Sequence, residues 1–248
     1  MRLGVTWLLF FMIALPLVSR GAPDPLARTR QCLVVTAPNW SSTTGALRAF
    51  ERAPDGGWKA VGDSVPVVLG KNGLGWGLGF VRPPLTHGPH KKEGDNKAPA
   101  GIFQLGPAFG YASANSASWI KLRYVPLTKN TEGVDDPQSR YYNQLVDRTK
   151  VARVDWRTSE KMLRTDDLYK WGLVVAHNSA GEPGAGSCIF LHIWRNSSAA
   201  TAGCTAMPQP NLVKLLHWLD PAAQPVLVQM PRKDYEALQA KLRLPVTP

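Results

Sequence analysis

Residues 73–110 are so rich in glycine and proline that no helical period runs through them. An interior glycine costs an α-helix about 1 kcal/mol and a proline about 3 kcal/mol, so the middle of the chain must fold as extended and turning backbone. Its centre, "KKEGDNKAPAGIFQLG", joins a charged loop to Pro99-Ala100-Gly101 and the apolar pair Ile102-Phe103. The flanks agree with this. Residues 31–36 read as a first strand, 47–52 alternate apolar and charged side chains, and 65–69 form a short apolar run. Turn residues separate them at Pro38-Asn39, Asp55-Gly56-Gly57 and Lys71-Asn72-Gly73. Further on, 171–176, 188–194 and 225–230 read as buried strands. Helical spacing occurs in 211–219, through Leu212, Leu215, Leu216 and Leu219, and in 232–242, through Tyr235, Leu238 and Leu242. The expected class is mainly β with a few peripheral helices. Residues 130–147, "NTEGVDDPQSRYYNQLVD", have the polar and aromatic composition of a binding loop or lid.

The N-terminus reads as an address. Arg2 precedes the nearly uncharged residues 3–18, and Ser19-Arg20-Gly21 offers small residues for cleavage after Gly21. Residues 1–21 are therefore expected to be a signal peptide, with an uncleaved anchor as the alternative, since about 16 apolar residues fall just short of a span. A polar leader, 22–30, follows, and 31–248 are expected to form one domain large enough to bury a sizeable core. After cleavage no segment is left to insert stably in a membrane. The formal net charge is +11, or +9 without Arg2 and Arg20, which suits an anionic environment such as a bacterial wall. No helical Lys/Arg stripe or nucleic-acid-binding module is present, so nucleic acid is not the expected partner.

Three cysteines, Cys32, Cys188 and Cys204, enter an oxidising compartment. Cys32 and Cys188 lie in strand-like runs, as a buried disulfide or as two inert buried thiols. Cys204 follows a glycine in a loop, the better setting for a free reactive thiol. His192 closes the apolar run before that loop, twelve residues earlier. A nucleophilic thiol needs a nearby base and backbone N–H groups aimed at the developing oxyanion. A returning loop brings His192 to Cys204, Gly203 lets backbone approach a bound carbonyl, and the amides beside it are natural donors. A free thiol has a pKa near 8.5, and an adjacent imidazole pulls it down. His177, with Asn178, ends the preceding strand, as a structural histidine or as a second cleft residue. Arg195 is either a carboxylate clamp or a solvated arginine. His87 and His90 have no partner at ligand spacing, so no metal site is expected.

The stretch "GSCIFLHIWRNSSAATAGCTAM" resembles the active-site segment of the L,D-transpeptidase catalytic domain family, in a branch with a "PAG-F-LG-AFGYA" element. Here that element is "APAGIFQLGPAFGYA", and the resemblance runs from about Gln31 to Met230. It implies a β-sandwich or barrel-like catalytic fold. It also implies His192 as general base and Cys204 as nucleophile, with Thr201 and Gly203 at the turn. The chain departs from the pattern at three points: Ala202 replaces a histidine, Ala206 stands where an arginine or asparagine is common, and the His-to-Cys spacing is short. The function implied is an exported, periplasmic or envelope transpeptidase that acts on peptidoglycan stem peptides without a cofactor. The alternatives are a peptidoglycan peptide hydrolase using the same pair, or a non-catalytic wall-binding module.

Overall fold

The computed structural model describes residues 26–81 and 87–247. Within them the strands are β1 (Gln31–Ala37), β2 (Thr44–Arg52), β3 (Trp58–Val68), β4 (Leu74–Trp76), β5 (Ala98–Gly110), β6 (Tyr124–Pro126), β7 (Thr131–Val134), β8 (Leu145–Asp147) and β9 (Ser159–Lys161). They continue as β10 (Trp171–Val175), β11 (Phe190–Ile193), β12 (Thr205–Met207) and β13 (Val226–Pro231), with helices α1 (Gln209–Trp218) and α2 (Arg232–Gln239). The class is mainly β, as the sequence implies.

Strand β1 is buried along its whole length because both its faces and both its edges are covered. It pairs antiparallel with β2, Cys32 opposite Phe50, and parallel with β13, Cys32 opposite Val226. From β13 the pairing passes to β5, then β10, β11 and β12. Strand β12 meets β3 through Ala206 and Val68, and β3 returns to β2. The pairing order therefore closes on itself into a barrel-like sheet. Closure depends on β5, whose residues from Gly101 to Gln104 pair with β13 and whose far end, to Gly110, pairs with β10. Gly101 has φ 147°, a backbone region that L-side chains avoid, where β5 begins its bend.

The core packs both faces of this sheet, Leu33, Val35, Phe103 and Leu227 on one and Phe50, Ile102 and Val228 on the other, all almost fully buried. Each such aliphatic or aromatic side chain stabilises the fold by about 1.5–3 kcal/mol. Helix α1 lays Leu212, Leu215 and Leu216 on that core, and α2 adds Tyr235 and Leu238. A separate three-stranded sheet, β8-β7-β9, is centred on Glu132. Glu132 is 1% exposed and accepts from Trp156 Nε1, Ser159 Oγ and Lys161 Nζ, with Arg148 3.2 Å away.

Residues 73–110, expected as extended and turning backbone, hold the longest strand, β5, despite Pro99, Gly101, Gly106 and Pro107. Other sequence expectations change here. The segment 130–147 contributes β7 and β8, and all of β7 is buried, so this part of it is packed wall. Cys188 and Ile189 stand outside β11, because Cys188 turns the chain at φ 52°. The expected signal peptide lies outside the described residues. Of the expected leader, Leu26 is fully buried in the core and the Arg30 N–H donates to Ala223 O. Among the described residues, no helix is long and apolar enough to cross a membrane.

Candidate active site

Strands β11 and β12 run parallel, with Leu191 opposite Thr205 and His192 opposite Ala206. Side chains alternate along a strand, so residues 204 and 206 share a face, and His192 stands opposite residue 206. Cys204, Ala206 and His192 accordingly line one cleft of about 420 Å³, within the size range of small-ligand sites. The loop that joins them is fixed at Thr201. The Thr201 N–H donates to Leu69 O at 2.8 Å, and Thr201 O accepts from the Lys71 N–H at 2.9 Å. The Thr201 hydroxyl donates to Cys204 O at 2.7 Å and accepts from the Gly203 N–H at 3.1 Å. Gly203 has φ 149°, and a Cβ there would stand 3.1 Å from Lys97 O. Only glycine turns this corner without strain.

Expected oxyanion donation from Gly203 meets a difference: its N–H is engaged by the Thr201 hydroxyl inside the turn. Both residues serve to hold Cys204. Its sulfur accepts from the Phe190 N–H at 3.3 Å and lies 3.6 Å from Cys188 O, toward which the thiol donates. Burial pushes the Cys204 thiol up to about 12, and the charge of Glu160 adds to the rise; the Phe190 N–H and Lys91 act the other way. Burial also pushes His192 down to about 4, partly offset by its bond to the Ile193 carbonyl. The imidazole does not pull the thiol down. At rest both groups are neutral.

His192 is oriented by two contacts. Its Nδ1–H donates to Ile193 O at 2.7 Å, which leaves Nε2 as the basic atom. Its ring meets Tyr169 edge-on, centroids 5.2 Å apart. Tyr169 in turn donates its hydroxyl to Glu160 Oε1 at 2.7 Å. Arg164 binds Asp166 through two 2.8 Å bonds, and Arg195 Nη2 lies 3.9 Å from Asp166. Arg195 lines the cleft with a largely exposed side chain.

His177 and Asn178 are not brought to this cleft. His177 Nδ1 accepts from the Leu78 N–H at 3.1 Å and Nε2 donates to Ala185 O at 3.0 Å, so both ring nitrogens brace loops. Asn178 closes its own turn, through Glu182 and Gly186. The three cysteines are free. Cys32 is sealed in β1, whereas Cys188 lines the same cleft as Cys204. No cluster of histidine, cysteine and acidic residues suits a metal ion among the described residues.

Sequence reasoning missed Glu160, Tyr169, Arg164 and Asp135, all of which line the cleft. Glu160 sits in the three-residue strand β9, whose neighbours Ser159 and Lys161 turn to Glu132 instead. Three residues are too few to display a period. No protein-family model matches the chain, and no curated protein or solved structure is found to be similar to it.

Proposed function

We propose that the protein is an exported cysteine acyltransferase, an L,D-transpeptidase of the bacterial periplasm or envelope, acting on peptidoglycan stem peptides. One observation carries the reading: a thiol and an imidazole with a free Nε2 share one face of the β11–β12 pair in a cleft of substrate size. Because both groups are neutral at rest, proton transfer accompanies attack. His192 Nε2 takes the thiol proton as Cys204 Sγ adds to the carbonyl that joins an L- or meso-residue to a terminal D-amino acid. The Phe190 N–H steadies the developing charge on sulfur, and the Cys204 N–H is the proposed oxyanion donor. His192 returns the proton to the departing amine, leaving a thioester. An amine acceptor then attacks the thioester and releases the thiol.

The resemblance of the segment around His192 and Cys204 supports the substrate class, and the net charge of +11 suits an anionic wall. Ala202 and Ala206 line the cleft where the family has larger polar groups. Carboxylate binding is therefore assigned to Arg195, which faces the same space. Incubation with stem tetrapeptides, read by mass spectrometry, tests the reading. Loss of the terminal D-amino acid with a new amine-linked product is expected, and Cys204→Ala should abolish both. Release without such a product assigns water as the acceptor. Undiminished turnover in Cys204→Ala would sink the proposal.

A further inference from the structure

The Cys204 sulfur is held by backbone far from it in the chain. Its thiol donates toward Cys188 O at 3.6 Å, and the sulfur accepts from the Phe190 N–H at 3.3 Å. Both groups belong to the turn that Cys188 makes at φ 52°, a left-handed conformation that cysteine keeps only when its surroundings hold it. What holds it stands behind the cleft. The Cys188 N–H donates to Asn143 Oδ1 at 2.9 Å, and the Cys188 thiol donates toward Val134 O at 3.7 Å.

Asn143 is itself firmly placed. Its Nδ2 donates to His177 O and to Asn178 O, both at 2.8 Å, so the amide faces two carbonyls with its nitrogen and one N–H with its oxygen. Its own φ of 63° is a left-handed value that asparagine tolerates, and its N–H donates to Val134 O at 2.8 Å. Asn143 is thereby fixed to the end of β7, and Cys188 is fixed to Asn143.

We propose that Asn143 is a positioning residue for the nucleophile: by holding the Cys188 N–H it keeps the turn that aims the Cys188 carbonyl and the Phe190 N–H at the Cys204 sulfur. The inference rests on the transferase reading for its kinetic consequence and on the hydrogen-bond geometry for its structural one. The carbonyl sets the direction of the S–H bond at rest. When the proton passes to His192 Nε2, the Phe190 N–H keeps the sulfur in place. Asn143 does not line the cleft, so its loss misplaces the sulfur and leaves the substrate contacts alone.

Two variants separate this role from general bracing. Asn143→Gly removes the side chain without straining φ 63°. Asn143→Asp keeps an oxygen that accepts from the Cys188 N–H and loses both donated bonds. On a stem tetrapeptide, Asn143→Gly should lower kcat roughly tenfold to hundredfold with KM within about twofold, and Asn143→Asp should recover most of that loss. The Cys204 S–H stretch, isolated by Raman difference against Cys204→Ala, reads the geometry without turnover. It should lie below the free-thiol frequency in wild type and in Asn143→Asp, and rise toward it in Asn143→Gly. A residue that only braced the loops would act through its donated bonds, so equal changes in the two variants overturn the proposal. An Asn143→Gly protein with wild-type kcat and band also overturns it, and leaves the transferase reading intact. If Asn143→Gly does not fold, the band in Asn143→Asp decides: at its wild-type place it supports the role, and at the free-thiol frequency it overturns it. If wild type never turns over the peptide while the bands behave as stated, the positioning role stands and the transferase reading falls.

Discussion

Burial sets the resting charges of the two reactive side chains. With the Cys204 thiol up at about 12 and His192 down at about 4, almost no thiolate exists near neutrality. Iodoacetamide labelling of Cys204 should therefore be slow at pH 7 and rise about tenfold per pH unit above it. An inflection below pH 7 would show instead a thiolate–imidazolium pair. A general base must be neutral, so kcat/KM should lose its acid limb only near pH 4 and stay flat through neutrality. His192→Ala should lower turnover by about 10²–10⁴-fold. Gly203→Ala forces a side chain into φ 149° and against Lys97 O. It should cost about 1–3 kcal/mol of stability in urea unfolding and move the thiol out of place. An unchanged midpoint would contradict the turn's role. His192, Thr201, Gly203 and Cys204 were legible together because strand, loop and strand are consecutive in the chain. His177 was not, because its partners Leu78 and Ala185 lie in loops that no local pattern connects.

Between elements, legibility depended on whether a pattern was long and local. Helix α1 was readable from Leu212, Leu215 and Leu216, and β1 from its unbroken apolar run. Strand β5 was hidden because the prolines and glycines that let it bend between β13 and β10 are also turn signals. The early half of β3 was hidden because its side chains face solvent. The wall that carries Glu160 hangs on Glu132, reached by Lys161, Ser159 and Trp156 from across the small sheet. Burial pushes the Glu132 carboxyl up, but those bonds outweigh it and hold the group at about 2. Glu132→Gln should cost about 1–3 kcal/mol, discounted for the exposed lysine and arginine, and should loosen the cleft wall. Matching urea midpoints for variant and wild type would remove Glu132 from that role.

For the whole molecule, the same buried groups fix the pH range of stability. His177 and His192 both fall from 6.5 to about 4 on folding, so the unfolded chain binds more protons between those values. Their contribution is complete above pH 6.5 and is lost as pH falls toward 4, on the order of 3 kcal/mol for each. Cys204 rises from 9.0 to about 12, so its contribution is complete below pH 9 and is lost as pH rises toward 12. Unfolding free energy should form a plateau between about pH 6.5 and 9 and fall on both sides. A maximum at pH 5 would mean that the histidines are protonated in the fold. The barrel-like closure that buries these groups joins β10 to β5 and β12 to β3, pairings distant in sequence and invisible to any local reading. The central claim is that Cys204 carries an acyl group from a stem peptide. Intact-mass analysis of the protein mixed with a stem tetrapeptide, followed by peptide mapping, tests it directly. The account predicts an adduct equal to the donor less its terminal D-amino acid, on Cys204 and absent in Cys204→Ala. An adduct on another residue, or product formed without any adduct and undiminished in Cys204→Ala, would contradict it.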